Sequence, residues 1–316
     1  MLRVVDLSAA PDVDVAPPPG VIVAFGSAAD VVAPNAEPWL AAATFTVTED
    51  PSADRRVITV DSVPDTLAEL RERCTRWPQA SAVCDDVLRS IDPYGPTLAG
   101  VVTESLAYST LQAGPEFARW LAERGPARVP QIPDPVLSVR DGNALRITFN
   151  RPQRHNAFST DTRAALLEAL TVAQLDPSVE EVVLNGNGPS FCSGGDLAEF
   201  GTFDDPASAH LARTRHSPAL VLDAVAARLG PACRAEVHGR VLGSGLEMAA
   251  FGGRVVCRPG AVFGLPELSL GLIPGAGGTV SVTRRIGRWR TAYLVLSGRT
   301  VDPDTALHWG LVDAIR

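Results

Sequence analysis

Two glycine-rich segments in the second half of the chain could supply the main-chain donors that chemistry at a carbonyl group requires. They are CSGGD at residues 192–196 and LGSGLE at residues 242–247. Glycine lets the backbone adopt positive φ angles and lets a ligand approach the main chain closely. Both segments are predicted to be junctions between a strand and a helix, and a helix that begins at each would leave free N–H groups in its first turn. Two such groups that converge on one oxygen form an oxyanion hole, although either segment alone is more simply a tight turn.

Two glutamates accompany these segments. Glu247 ends the second one, and Glu267 follows Pro266. A pair of carboxyl groups can divide the work of a general base and a general acid. Partial burial and mutual repulsion would keep one proton between them near neutral pH, so that they titrate as a pair. Each glutamate alone is explained more simply by a helix start, whose dipole favours acidic side chains, but the combination with both glycine segments favours catalysis.

Several other chemistries lack their motifs. The glycine pattern has neither the third glycine of a dinucleotide-binding fingerprint nor the GK[ST] of a phosphate-binding loop. Ser193 and Ser244 do not occur in the G-x-S-x-G of a nucleophile elbow. All 28 basic residues are arginine, which excludes lysine nucleophiles. The five cysteines and five histidines show no metal-ligand spacing, so we expect no metal.

Composition restricts the class of protein further. The chain has 316 residues, 46% of them hydrophobic, and a net charge of -8. The negative charge argues against nucleic acid as the main partner, since phosphate binding usually needs a basic surface. No apolar run approaches the length of a membrane-spanning helix, and the proline-rich N-terminal arm does not resemble a secretory signal. Scattered cysteines in odd number favour a reducing compartment, so we expect a cytoplasmic protein without a membrane partner.

The pattern of prolines divides the chain near residues 125–135, where a linker is predicted. Before it, β-branched and apolar runs predict strands at 21–25, 44–48 and 56–60. Helices are predicted from about residue 64, including PEFARWLAERG, whose final glycine can cap it. This first part carries no chemical motif and is more simply an accessory or assembly unit than a separate catalytic site.

Strands and helices alternate in the second part, which predicts an α/β domain. LSVRDGNALRITFN reads as two strands around a DGN turn, and Ser159 is the expected N-cap of the next helix. EEVVLNGNG predicts a short buried strand, and one helix is expected over roughly 206–228. A closing helical stretch includes WRTAYLVLSG and DTALHWG.

Four motifs in this second part resemble, in order and spacing, the enoyl-CoA hydratase/isomerase or crotonase superfamily. They are RPQRHNAF, FCSGGDL, HGRVLGSGLEMA and VFGLPELSLGLIPGAGG, and the resemblance covers about residues 136–316. It implies an α/β fold built as a crotonase-like spiral of ββα units. An additional N-terminal α/β accessory region at 1–130 then precedes the catalytic core at 131–316. Assembly as a homotrimer or homohexamer is expected.

The resemblance also implies a shortened C-terminus. Members of the family normally continue with helices that cover the active site and the neighbouring subunit, whereas this sequence stops at Arg316. We expect the helical N-terminal portion, especially around residues 103–124, to take the place of that lid.

The resemblance implies roles for individual residues. The main-chain N–H groups of Gly195 and Ser244 would form the oxyanion hole. Glu247 would act as the base towards water and Glu267 as the proton donor to the α-carbon, with the N–H of Gly275 near the reacting water. The coenzyme's adenine and phosphates would lie against a looser set of residues: Arg154, Ala157, Ser193, Gly194, Asp196 and Leu197.

These roles predict a hydro-lyase of fatty acid metabolism that adds water to the 2,3 double bond of an acyl-CoA thioester. Coenzyme A enters as part of the substrate, and no further cofactor is expected. Another reaction through the same enolate stays open: isomerisation, thioester hydrolysis or cofactor-free oxygenation. A non-catalytic acyl-CoA binding protein is the third alternative, kept open by Ser244, where many relatives have glycine.

Overall fold

The first part of the chain forms a parallel sheet that is followed by helices. The computed structural model describes residues 2–9, 20–203 and 205–316, so most of the proline-rich arm lies outside the described residues. The strands stand in the sheet in chain order: β1 (Arg3–Asp6), β2 (Ile22–Phe25), β3 (Phe45–Thr48) and β4 (Val57–Thr59). β3 is buried throughout, as expected of a parallel strand covered on both faces. The three predicted strands are confirmed.

Helices occupy most of the remaining first part. They are α1 (Ala28–Val31), α2 (Glu37–Ala42), α3 (Val63–Arg76), α4 (Pro78–Ser90), α5 (Thr97–Gln112) and α6 (Pro115–Arg124). Helix α3 begins where the Ser62 side chain accepts a hydrogen bond from the Asp65 N–H, and it buries Leu67 and Leu70. Helix α6 ends at Gly125, whose φ of 72° confirms the expected glycine cap.

A six-stranded sheet forms the centre of the second part, in the order β12-β10-β8-β7-β6-β5. The strands of the second part are β5 (Val136–Asp141), β6 (Ala144–Phe149), β7 (Glu181–Gly186), β8 (Cys233–Val237), β9 (Arg240–Leu242), β10 (Arg254–Cys257), β11 (Val262–Gly264) and β12 (Ala314–Ile315). β5 and β6 form the predicted antiparallel hairpin, and the other neighbours in this sheet are parallel. β9 and β11 form a separate parallel pair.

Helices surround these strands. They are α7 (Thr160–Leu175), α8 (Pro206–Arg215), α9 (Pro218–Leu229), α10 (Ser244–Ala249), α11 (Gly278–Ser297) and α12 (Pro303–Trp309). Helix α7 begins at the predicted N-cap, where the Ser159 hydroxyl accepts from the Thr162 N–H at 3.1 Å. The single helix predicted over 206–228 is wrong. It is divided into α8 and α9 because Pro218 lacks an N–H and disfavours helical geometry in Ser217.

A helix begins directly at only one of the two glycine segments. Helix α10 begins at Ser244, as expected. The helix expected after residues 192–196 is wrong, because that segment leads into turns. There the Asp196 N–H donates to the Phe158 carbonyl at 2.9 Å, a pairing that holds the segment extended rather than helical.

One hydrophobic core joins the two parts of the chain. It includes Phe45 and Leu70 from the first part together with Ile147 and Leu296 from the second. Helix α11 packs against α3, α4 and α5, and the Arg73 guanidinium donates to the Leu296 carbonyl at 2.7 Å. No helix among the described residues combines the length and the apolar character needed to cross a bilayer. Helices α3 to α6 therefore contribute to the same core as the second part, whereas α1 and α2 pack in a separate cluster.

Candidate active site

The two glycine segments lie side by side. The Cys192 N–H donates to the Arg240 carbonyl at 3.1 Å, and the Leu242 N–H donates to the Cys192 carbonyl at 3.0 Å. Gly194 has a φ of 96° and Gly243 a φ of 49°, both in the region that favours glycine. A Cβ at Gly194 would lie 3.4 Å from the Leu242 carbonyl oxygen, so the two backbones are in close contact.

The N–H groups of Gly195 and Ser244 have no hydrogen-bond partner within the described ranges. Phe158 bonds to the residues on either side of Gly195, which leaves the Gly195 N–H unused. Ser244 is the first residue of α10, where an N–H has no helical acceptor. Both residues line one cavity of about 320 Å³. The structure thus brings the two predicted oxyanion-hole donors to the same cavity.

Glu247 lies in the first turn of α10 and is buried at the cavity wall. Its Oε2 accepts hydrogen bonds from the N–H groups of Ala276 at 2.7 Å and Gly278 at 2.8 Å. Burial raises the pKa of Glu247 well above its ordinary value, and the charges of Glu104 and Glu267 raise it further. The two N–H bonds act in the opposite direction, because they stabilise the carboxylate.

Glu267 opens a short 3-10 helix, Glu267–Leu270, and faces the same cavity. Its Oε1 lies so close to Gly243 that a Cβ there would be 2.5 Å from it. Its Oε2 is buried, with no hydrogen-bond partner in the described part of the chain. Burial raises the pKa of Glu267 to about 8, and the charge of Glu104 contributes. This carboxyl is therefore mainly protonated at neutral pH.

Gly275 lies on the cavity wall opposite the ring of Tyr108. A Cβ at Gly275 would stand 2.5 Å from two carbons of that ring, so only glycine fits beneath it. Tyr108 belongs to α5, in the part of the chain without a chemical motif. The glycine thus allows a helix from the first part to reach the cavity.

A third buried carboxyl, Glu104 on α5, was missed by the sequence analysis. Its Oε1 accepts from the Gly277 N–H at 2.7 Å. Its Oε2 accepts from the N–H of Thr279 at 2.9 Å and from the hydroxyl of that residue at 2.6 Å. Burial raises the pKa of Glu104 to about 7. Because Glu247 binds residues 276 and 278, the two glutamates hold alternate N–H groups of one turn.

The sequence did contain a signal for Glu104. It is the single charged residue of α5, within TLAGVVTESLAYSTLQ. A charged side chain on an otherwise uncharged helix is rarely buried without a partner. The partner lies 173 residues away at Gly277, which no local pattern reveals.

The predicted coenzyme residues are divided between the cavity wall and its surroundings. Ser193, Gly194, Asp196 and Leu197 line the cavity; Arg154 and Ala157 are not among the described residues that form its wall. The buried Asp196 carboxylate accepts from Arg151 at 2.8 Å and from Arg154 at 2.7 Å. Arg151 also donates to the Ala157 carbonyl. Asp196 therefore fixes this segment, and contact of the set with coenzyme A stays a prediction.

Comparisons with known proteins assign most of the second part of the chain to a family. Residues 140–316 match the family model for enoyl-CoA hydratase/isomerase. The chain is 35% identical to the 2,3-dehydroadipyl-CoA hydratase of Escherichia coli over 180 residues, which cover 57% of this chain and 68% of that protein. It is 33% identical to a probable enoyl-CoA hydratase of Mycobacterium tuberculosis over 182 residues, again 57% of this chain and 68% of the relative.

Solved structures show the same fold. A crystal structure of an enoyl-CoA hydratase/carnithine racemase from Magnetospirillum magneticum aligns with a TM-score of 0.52 and 27% identity, covering 58% of this chain and 69% of that one. A putative enoyl-CoA hydratase/isomerase from Mycobacterium abscessus aligns with a TM-score of 0.51 and 31% identity, covering 57% of this chain and 70% of that one. The predicted crotonase-type α/β fold is confirmed, and the chain belongs to the enoyl-CoA hydratase/isomerase family.

Proposed function

We propose that the protein adds water across the 2,3 double bond of an enoyl thioester of coenzyme A. One observation carries the proposal: two buried carboxyl groups, Glu247 and Glu267, line the same cavity as the free N–H groups of Gly195 and Ser244. Coenzyme A is then part of the substrate, and no other cofactor takes part.

The thioester oxygen would accept hydrogen bonds from Gly195 and Ser244. Attack at the β-carbon moves negative charge onto that oxygen, and fixed donors stabilise the resulting enolate without reorganising. Removing one such donor in other enzymes costs about 3–4 kcal/mol of barrier lowering. Glycine at 194 and 243 is required here, because the two segments touch along their backbones.

The contacts of the two carboxyls suggest which one acts as base. The net shift of the Glu247 pKa is upward, because burial and the charges of Glu104 and Glu267 outweigh its two N–H bonds. Those bonds still stabilise its carboxylate, a support that Glu267 lacks at Oε2, so we assign Glu247 as the base that takes the proton of the attacking water. Glu267 has a pKa of about 8 and an Oε2 without a partner, so it would give its proton to the α-carbon. A proton must then pass from Glu247 to Glu267 before the next turnover.

The N-terminal helices would cover the substrate. Val101, Ser105 and Tyr108 of α5 line the cavity within the same chain. This placement supports the proposal that α5 covers the bound substrate, whereas no residue of α6 is among the described residues that line the cavity. A cytoplasmic location and a homotrimer or homohexamer remain predictions.

The names of the relatives do not agree on the acyl group. One is a 2,3-dehydroadipyl-CoA hydratase, and another, from Aspergillus fumigatus, is a mevalonyl-coenzyme A hydratase. The proposal is therefore limited to the class of enoyl-CoA thioesters.

Crotonyl-CoA tests the proposal through loss of its enoyl absorbance and appearance of the 3-hydroxy product. We expect turnover by the wild type and a loss of about 10²–10⁴-fold in Glu247→Gln and in Glu267→Gln, with binding largely retained. Glu168→Gln, which changes an exposed carboxyl on α7, is the matched control. Binding without hydration across several chain lengths, or full activity in either cavity variant, would contradict the hydratase mechanism.

A further inference from the structure

Two arginines line the same cavity as Glu247 and Glu267. Arg163 lies in the first turn of α7, and Arg213 lies near the end of α8. Both are partly buried. Neither forms an ion pair with a described carboxylate within 4.0 Å. The cavity thus contains two positive charges without a direct counter-ion.

Arg213 is held in place by neutral groups. Its Nε donates to the Ser105 hydroxyl at 3.1 Å, its Nη1 to the Gln112 side chain at 2.9 Å, and its Nη2 to the Ser109 hydroxyl and, at 3.5 Å, to the Ser105 carbonyl. The guanidinium also stacks on the ring of Tyr108, 4.5 Å from the centroid. These contacts fix its position without pairing its charge directly with a carboxylate.

Arg163 has more freedom to bind a ligand. Its guanidinium forms no hydrogen bond with the described residues, and its acidic neighbour, Glu199, accepts from the N–H and hydroxyl of Thr160. Arg151 and Arg154 differ from Arg163, because both form ion pairs with the buried Asp196 carboxylate. A free, planar guanidinium at a cavity wall is suited to a bidentate carboxylate.

The electrostatics agree with an anionic ligand. Burial lowers the pKa of Arg213, the charge of Glu104 raises it, and the charge of Arg163 lowers it, so the two cations lie close enough to repel each other. Burial also lowers the pKa of Arg163, and the charge of Glu199 offsets part of that shift. Partly buried like charges are unfavourable until an anion binds between them.

The position of Arg213 points to the acyl end of the substrate. The Tyr108 ring contacts both Gly275 and the Arg213 guanidinium. Gly275 precedes the turn that holds Glu247, so the arginine contacts the same aromatic ring as the segment that leads into this turn. The predicted coenzyme side, at Arg154, has its guanidinium already paired with Asp196.

We infer that the acyl chain carries a carboxylate at its far end, bound by Arg163 and by the remaining free N–H of Arg213. The inference rests on the proposed function, since it assumes an enoyl thioester in this cavity. It defines the substrate class as half-thioesters of dicarboxylic acids.

The test compares hex-2-enoyl-CoA with the thioester of the same chain length whose terminal methyl group is replaced by a carboxylate. We expect the kcat/KM of the wild type to be about 10-fold or more higher for the carboxylate-bearing thioester, because a hydrogen bond to a charged group contributes a preference of that size. Arg163→Gln should reduce that preference by about 10- to 100-fold. Arg215→Gln, which changes an exposed arginine two residues beyond Arg213, should leave the preference unchanged. Equal kcat/KM for the two thioesters in the wild type overturns the inference while leaving hydration intact.

A binding measurement keeps the inference independent of turnover. Adipyl-CoA and hexanoyl-CoA are saturated, and calorimetry gives their dissociation constants even if no thioester is hydrated. Tighter binding of adipyl-CoA that is lost in Arg163→Gln supports the inference. The phosphates of coenzyme A are the other anions that Arg163 could bind. Pantetheine thioesters lack the nucleotide and therefore distinguish these phosphates from a carboxylate on the acyl chain. Arg163→Gln could weaken the binding of both coenzyme A thioesters equally and leave the binding of both pantetheine thioesters unchanged. In that case the arginine binds the coenzyme phosphates and the inference is wrong.

Discussion

The cavity is built from two regions that reach it in different ways. The region after the linker contributes main-chain N–H groups at Gly195 and Ser244 and places Glu247 directly beside one of them. The region before the linker contributes side chains from the middle of a helix, Glu104 and Tyr108, which meet residues far away in the chain. Main-chain donors at glycine-rich turns are visible as local sequence motifs, whereas helix side chains with distant partners are not.

This difference shows how a region without motifs can determine the geometry of a site. The turn at 276–279 is held from one side by Glu247 and from the other by Glu104. If Glu104 positions this turn, changes on α5 should alter stability and catalysis together. If the first region is only an accessory unit, those changes should affect stability alone.

The largest expected effect is that of Glu104→Ala. The change leaves the N–H groups of Gly277 and Thr279 and the Thr279 hydroxyl buried without an acceptor. We expect the free energy of unfolding to fall by about 2–5 kcal/mol. Each of the three unpaired buried groups costs about 1–3 kcal/mol, and removal of the desolvation cost of the Glu104 carboxyl offsets part of that sum. Denaturant unfolding measures the change.

The matched control is Thr103→Ala, an exposed neighbour whose hydroxyl bonds only within its own helix. It should change the free energy of unfolding by less than about 0.5 kcal/mol. Wild-type stability in Glu104→Ala would mean that the turn does not depend on this carboxyl.

A smaller effect is expected at the contact between the regions. Gly275→Ala places a Cβ 2.5 Å from the Tyr108 ring, and overpacking of this kind costs about 1–3 kcal/mol. We expect kcat/KM to fall and part of the loss to return in the double variant with Tyr108→Ala. A double-mutant cycle on kcat/KM measures that coupling, and strictly additive effects would show that the ring does not restrict Gly275.

The smallest effect is a displacement of the pH profile. With a pKa of about 8, Glu267 loses its proton above that pH, so kcat/KM should decline on the alkaline side. The Glu104 charge raises the pKa of Glu247 and Glu267, so removing it lowers both. We expect Glu104→Gln to move the alkaline limb to lower pH by up to about one unit. If the alkaline limb of the Glu104→Gln profile lies at the wild-type pH, Glu104 supports the turn without affecting the proton transfers.

The sequence predicted those parts of the site that depend on backbone conformation. Gly194 and Gly243 adopt positive φ and lie in backbone contact, so glycine is required and the motifs are visible. Most strands were also predictable, since β2 and β3 are short runs of buried apolar or β-branched residues. The break between α8 and α9 could have been inferred from Pro218.

Side chains that meet through tertiary structure could not be predicted in this way. Glu104, Tyr108 and Arg213 occupy ordinary helical positions, and their partners lie on other elements. Helical periodicity identifies the face that a residue occupies, but it does not identify what packs against that face. The expected helix after residues 192–196 failed for a related reason, because pairing with Phe158 holds that segment extended.

The proposed mechanism requires the amides of Gly195 and Ser244 to hold one thioester oxygen between the two carboxyls. A crystal structure with butyryl-CoA, which cannot be hydrated, tests it directly. We expect the thioester oxygen within about 3 Å of both nitrogens, with Glu247 and Glu267 on either side of the carbons that become the α and β positions. An oxygen that contacts neither amide, or an acyl chain outside the cavity, would contradict the account.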